Sequence, residues 1–192
     1  MPNTIYINGR FLTQSLSGVQ RYAFEISKQL SLFDNYDFII LVPSKSEIKH
    51  DYKFQLNIKK IGINTGHIWE QIDLPIYLKN KGNNLLINFT NSAPIFYTHK
   101  ISTIHDLSVF ENPSWFSFKY KSFYRFITPR IINTSKKILT VSQYCKNNII
   151  NTFNISPSTI SVIYNGTSLV VQKRGKRKQN YILFVGGSSK RK

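Results

Sequence analysis

"KKILTVSQYCKNNIINTFNISPSTISVIYNG", residues 136–166, carries three structural signals in a row. Its apolar run "KILTV" (137–141) reads as a strand. Ser142 follows at a helix N-cap position, and 143–153 reads as the helix it starts. "TISVIYNG" (159–166) is a second strand that ends in a turn. A strand, a helix and a strand in succession make one unit of a parallel sheet.

The rest of the chain repeats this alternation. "TIYIN" (4–8) is a short strand entering a loop, and "YDFIILVP" (36–43) is a buried-type strand closed by Pro43. Between them Val19, Tyr22, Ala23, Ile26, Leu30 and Phe33 recur as one helical stripe, with Ser17 and Gln20 spaced as a capping box. "KKIGI" (59–63) is a weaker strand, and "HIWEQIDLPIYLKNKG" (67–82) a helix interrupted near Pro75 and stopped by Gly82. "LLINF" (85–89) and "KISTI" (100–104) are strands, and an aromatic-rich helix covers about 117–134. The expected fold is therefore α/β: a Rossmann-like, doubly wound parallel sheet with helices on both faces. No internal repeat is present.

Composition narrows the class. At 192 residues the chain suffices for one domain with a proper core, and its 14% aromatic content argues against disorder. Cys145 is the single cysteine, so no intrachain disulfide can form, which fits a reducing cytoplasmic setting. It reads as a small buried residue at a helix start. "MPNTIYING" carries no signal-peptide pattern, and no run approaches the roughly 18 apolar residues that span a bilayer, so a soluble chain is expected. The unusual number is charge: 26 Lys and Arg against 9 Asp and Glu, a formal +17. Such an excess points to a polyanionic neighbour, whether nucleic acid, an anionic membrane surface or a phosphorylated ligand, or to an acidic partner half.

Ligands of such sheets sit beyond the carboxyl ends of the strands. Three features occupy that edge. In "GRFLTQSLSGVQRY" (9–22), Gly18 lets the backbone approach a ligand, and the first-turn N–H groups favour a phosphate or sugar oxygen. No G-x-G-x-x-G accompanies it, which disfavours a dinucleotide site. In "TIHDLSVF" (103–110), His105 and Asp106 leave an apolar strand together. The imidazole can donate to a sugar hydroxyl or phosphate, and Asp106 can orient it or nearby backbone. Adjacent residues of an extended chain face opposite ways, so the two need not touch. In "SWFSFKYKSFYRFITPRII" (114–132), one helical side holds Phe116, Tyr120, Phe123, Tyr124, Ile127 and Ile131, a sensible core face. The other carries Phe118 and Phe126 beside Lys119, Lys121 and Arg125, the pattern of a surface that touches anionic headgroups. No Cys or His cluster has metal-ligand spacing, and no G-x-S-x-G elbow occurs.

"INGRFLTQSLSGVQRYAFEI", "HIWEQIDLP", "TIHDLSVFENPSWFS", "KKILTVSQYCKNNII" and "ISPSTISVIYNGTS" together resemble the N-terminal half of family 4 glycosyltransferases. The branch they resemble is the mannosyltransferase-like enzymes of bacterial polysaccharide and O-antigen assembly. The resemblance implies one half of a GT-B architecture, in which two Rossmann-like domains face each other across a cleft. The N-terminal domain mainly holds the acceptor and the C-terminal one the nucleotide-sugar. It further implies retention of anomeric configuration, usually without a metal or cofactor. By position, Gly18 would approach the donor phosphates, His105 would contact the donor sugar with Asp106 beside it, and Asn165 and Gly166 would lie at the crossing between domains.

The same resemblance organises the C-terminal stretch. Residues 1–165 form the acceptor-side domain, 166–179 a basic linker, and "NYILFVGGSSKRK" (180–192) the first strand and loop of a nucleotide-sugar domain. Arg191 and Lys192 match a pair whose lysine belongs to the diphosphate site, whereas Gly187 stands where many relatives have an arginine. The expected protein is a hexosyltransferase half, cytoplasmic and peripheral to the inner face of the plasma membrane. The whole enzyme would transfer mannose from GDP-mannose to a glycan or lipid-linked acceptor, and this chain alone would have negligible activity. Two other readings stand beside it. One is a non-catalytic half-domain that binds glycan or a separate C-terminal subunit; the other is a basic nucleic-acid binder, against which the lack of a stacking-sheet motif speaks.

Overall fold

Seven strands pair side by side, all parallel, in the order β3-β2-β1-β4-β5-β6-β7. They are β1 (Asn3–Asn8), β2 (Tyr36–Pro43), β3 (Ile58–Ile61), β4 (Leu86–Asn88), β5 (Lys100–Thr103), β6 (Lys137–Thr140) and β7 (Ile160–Val162). The computed structural model describes residues 3–49 and 56–166. The α/β Rossmann-like sheet expected from the alternation is thus observed. The linker at 167–179, the strand and loop at 180–192, and Arg191 and Lys192 lie outside the described residues.

Helices cover both faces because alternate strand residues are apolar in both directions. Ile7, Phe38, Ile40, Val42 and Ile87 pack against Tyr22, Ala23 and Phe24 of α1 (Gly18–Leu30). Tyr6, Leu41 and Leu86, one residue out of phase, pack against Trp69, Leu74 and Leu78 on the opposite face. A third cluster joins Ile104, Ile138 and Ile160 to Ile127 and Ile131 of α5 (Phe118–Thr134) and to Cys145 and Ile149 of α6 (Gln143–Phe153). Ser142 caps α6 as expected, accepting from the Cys145 N–H at 3.1 Å, and burial raises the thiol's pKa, which leaves Cys145 inert.

Helix α1 stops at Leu30, so Phe33, placed in its stripe by periodicity, is instead exposed beyond it. The Ser17–Gln20 pair forms, but as a side chain to side chain contact; Ser17 makes no side-chain cap to the first turn. The interruption expected near Pro75 is real and has a specific form. Helix α2 (Gly66–Ile68) runs into a π-helical turn (Trp69–Asp73) and then α3 (Leu74–Asn80). The Leu74 N–H reaches back five residues to the Trp69 carbonyl, and Pro75, which has no N–H to place, follows at the start of α3. The wider turn leaves consecutive residues Trp69 and Glu70 both fully buried. Trp69 is held by its indole N–H donating to the Ile61 carbonyl at 3.0 Å.

Candidate active site

The order of strands reverses between β1 and β4, where a doubly wound sheet opens a crevice at its carboxyl edge. Here the crevice is filled from within. Asn8 and Asn88, the last residues of β1 and β4, share a hydrogen bond of 3.0 Å, and Asn8 donates to Glu70 Oε1 at 2.7 Å. Arg10, in the 3-10 turn Gly9–Thr13 after β1, places Nε 3.2 Å from the same oxygen and Nη2 2.6 Å from Ser92 Oγ. Ser92 in turn donates to Glu70 Oε1 at 3.0 Å, and His67 Nδ1 lies 3.2 Å from Oε2. Burial alone would push the Glu70 carboxyl up. The Arg10 guanidinium, with His67 and Asn8, overrides it and holds the group down at about 2. Glu70 is therefore a buried carboxylate at the hub of three segments. It sits inside "HIWEQIDLP", yet its role was invisible as sequence, because Asn8, Arg10 and Ser92 lie 62, 60 and 22 positions from it along the chain.

With the switch point plugged, the open face of the edge moves one strand along, to β5. His105 follows β5 and packs edge-on against the Tyr22 ring of α1, centroids 4.8 Å apart. Tyr22 lies one turn inside the helix that Gly18 begins, so α1 and His105 are joined at this edge. A Cβ built on Gly18 would meet nothing within 4 Å, so no neighbour in the protein requires a glycine there. His105 Nε2 stands 2.9 Å from the Phe89 carbonyl. A carbonyl only accepts, so Nε2 carries the proton, and Nδ1 is left as the acceptor of a neutral ring. Burial lowers the imidazole pKa, against the pull of the Phe89 carbonyl and the charge of Asp106. The ring expected to donate to a ligand thus spends its donor on the backbone and offers a lone pair.

Asp106 belongs to a different surface. Its Oδ1 accepts the Ser108 N–H at 2.9 Å, which starts the short helix α4 (Ser108–Glu111). Asp106 lines a small cleft, partly open to solvent, together with Asn91, Phe110, Phe116, Tyr120 and Tyr124. Asn91 Oδ1 accepts the His105 N–H at 2.7 Å, so the cleft wall and the histidine share one anchor. Opposite, Phe116 and Tyr120 stack at 5.2 Å with their planes 8° apart, and Tyr120 and Tyr124 follow at 4.5 Å. Periodicity assigned Phe116 and Tyr120 to the core, but α5 buries only its Ile127, Thr128, Ile131 and Ile132 side, and these rings line the cleft instead. The wall is tied back to the buried carboxylate: the His67 ring lies 4.3 Å from Phe123 and 6.5 Å from Tyr124.

The remaining expected residues do not line this cleft, although the Arg125 guanidinium lies 5.8 Å from the ring of Phe110 in its wall. Phe118, Lys119, Arg125 and Phe126 are exposed on the outer side of α5 and Lys121 is half-buried there. Asn165 and Gly166 follow β7 and are exposed. Among the described residues no group of three His, Cys, Asp or Glu side chains gathers as metal ligands would.

A parallel-sheet edge with a neutral histidine beside a polar, aromatic-walled cleft suits recognition of hydroxylated, ring-shaped ligands such as sugars. Residues 16–170 match Glycosyltransferase Family 4, and the chain belongs to that family. It is also similar to a Salmonella typhimurium (strain LT2) protein named O-antigen chain mannosyltransferase RfbU, with 35% identity over 107 residues. The aligned segment covers 56% of this chain and 30% of that relative's length. Among the described residues no helix is long and apolar enough to cross a membrane.

Proposed function

We propose that this chain is the acceptor-side half of a retaining hexosyltransferase that moves mannose from GDP-mannose to a glycan or lipid-linked acceptor in O-antigen or related polysaccharide assembly. The observation that carries the reading is the pairing of a neutral His105 with the adjacent cleft of Asn91, Asp106, Phe116, Tyr120 and Tyr124. Stacked rings match the apolar C–H face of a pyranose, while a carboxylate and a carboxamide match its hydroxyls. The acceptor sugar would lie in the cleft with the hydroxyl to be glycosylated directed to the His105 side. His105 Nδ1 would accept a hydrogen bond from a hydroxyl of the donor sugar, fixing its ring near the reacting carbon. The N-terminal end of α1 at Gly18 would face the donor phosphates, whose other contacts would come from a nucleotide-binding domain, in cis or as a separate subunit, with Asn165 and Gly166 at the crossing. Arg191 and Lys192 would belong to that diphosphate site. No cofactor is assigned beyond the nucleotide-sugar.

Saturation-transfer NMR tests the acceptor half directly. Mannose-terminated oligosaccharide should receive saturation from this chain, and Tyr120→Ala should abolish the transfer while the fold persists. Radiolabelled GDP-mannose, supplied with the nucleotide-binding half, should then label a lipid-linked product, and His105→Ala should lower kcat. Glycan binding that ignores Tyr120, or labelling from another nucleotide-sugar alone, would overturn the respective part.

A further inference from the structure

The outer side of α5 combines exposed aromatic rings with cations. Phe118, Ser122 and Phe126 recur at four-residue steps and form one ridge, all exposed, with Phe118 76% and Phe126 51% accessible. Lys121 and Arg125 flank this ridge on one side, Lys119 and Arg130 on the other. Among the seventeen residues of α5 there is no Asp or Glu. Two of the cations lean toward these rings, the Arg130 guanidinium 3.6 Å from the Phe126 centroid and the Lys121 ammonium 6.0 Å from that of Phe118, while the Arg125 guanidinium lies 5.8 Å from the Phe110 ring. Trp115, 40% exposed, stands just before the helix in the 3-10 turn Pro113–Trp115.

We infer that this ridge docks α5 on an anionic phospholipid bilayer, with Phe118 and Phe126 entering the acyl boundary and the flanking Lys and Arg meeting the phosphates. Charge complementarity selects this occupant. Four cations without one acid on a helix of a chain of net charge +17 oppose an acidic leaflet, and the two phenyl rings at the centre gain only where an apolar phase lies between the charges. A convex ridge offers no groove along which a nucleic-acid strand could run. The opposite side of the same helix supplies Tyr120, Tyr124 and Thr128 to the cleft, so docking brings the cleft to the headgroup layer. The inference adds a partner to the proposed reaction but does not depend on it, since vesicle binding is read without any sugar.

Co-sedimentation with phosphatidylcholine vesicles, with and without phosphatidylglycerol, tests it. Binding should require phosphatidylglycerol and weaken with salt. Each Lys→Gln change should cost about fivefold, so Lys119→Gln with Lys121→Gln should lose roughly 25-fold. Phe118→Ser with Phe126→Ser should lose at least about tenfold. The wild-type chain gives an independent readout, because Trp69 is fully buried and Trp115 is the other of two tryptophans. Trp115 emission should shift to the blue on vesicle binding. Equal binding to neutral vesicles, an unshifted Trp115, or wild-type binding by folded variants would each overturn the inference. So would oligonucleotide binding that the Phe pair weakens equally, which would reassign the ridge.

Discussion

Replacing Glu70 by Gln removes one charge and little volume from the centre of the sheet's carboxyl edge, and its cost can be worked from the geometry. Glu70 is fully buried; Oε1 accepts from Asn8, Arg10 and Ser92, and Oε2 pairs with His67. The substitution leaves the Arg10 guanidinium, 6% exposed, without its counter-charge, a situation that costs about 3–5 kcal/mol. The depressed carboxyl leads to a similar figure. Holding the carboxyl at about 2 against an ordinary 4.5 corresponds to about 3 kcal/mol of stability at neutral pH. The folded value is the depressed one, so this contribution is complete above about pH 4.5 and is lost as pH falls toward 2. Urea unfolding followed by the fluorescence of buried Trp69 measures both. The wild type should lose about 3 kcal/mol more than Glu70→Gln between pH 5 and pH 2, and the variant should already be weaker by about that amount at pH 7. Arg10→Met combined with Glu70→Leu should cost less than Glu70→Gln alone, because no charge is then left buried. A Glu70→Gln penalty below about 1 kcal/mol, the range of an exposed pair, would refute the assignment of Glu70 and Arg10 as a buried ion pair.

Three further outcomes are expected. Gly62 has φ +74°, and a Cβ there would fall on the Asp73 carboxylate that accepts the Ile63 and Asn64 N–H groups at 2.8 Å; Gly62→Ala should lower the urea midpoint by an amount worth about 1–3 kcal/mol. Lys100 is fully buried, its ammonium donating to the Tyr97 carbonyl and Thr134 Oγ1 at 2.6 Å, and burial lowers its pKa to about 7. Since the unfolded lysine holds its proton up to about 10.5, stability should rise with pH between 7 and 10.5, and Lys100→Met should flatten that rise; an unchanged slope would count against it. Long-range ¹⁵N NMR should find His105 as the Nε2–H tautomer, titrating below the ordinary 6.5. An Nδ1–H ring would contradict the Phe89 contact.

The order of elements was legible because its signals are local. β2 matches "YDFIILVP" residue for residue, and α6 matches 143–153, since a strand's period of two and a helix's cap need only neighbours in sequence. Errors fell where a short-range pattern stood in for a long-range contact. Phe116 and Tyr120 fit the apolar stripe read over 114–132, but Phe116 precedes α5 and Tyr120 lies in its first turn, whereas the buried residues of α5 begin at Ile127, so the two rings wall the cleft instead. His105 was found by its place after a strand, whereas the direction of its hydrogen bonds was not, because the acceptor is the carbonyl of Phe89, sixteen residues away.

The α/β class, the parallel sheet, the basic and aromatic side of α5 and the family could all be read from the residues alone. Tertiary structure alone decided that the switch-point crevice is closed by Arg10 and Glu70 and that the open cleft lies beside β5. The physical reason is desolvation. Arg10 and Glu70 read as ordinary surface charges along the chain, and they become one buried pair only when β1, the π-helical turn and the loop after β4 are packed out of water together.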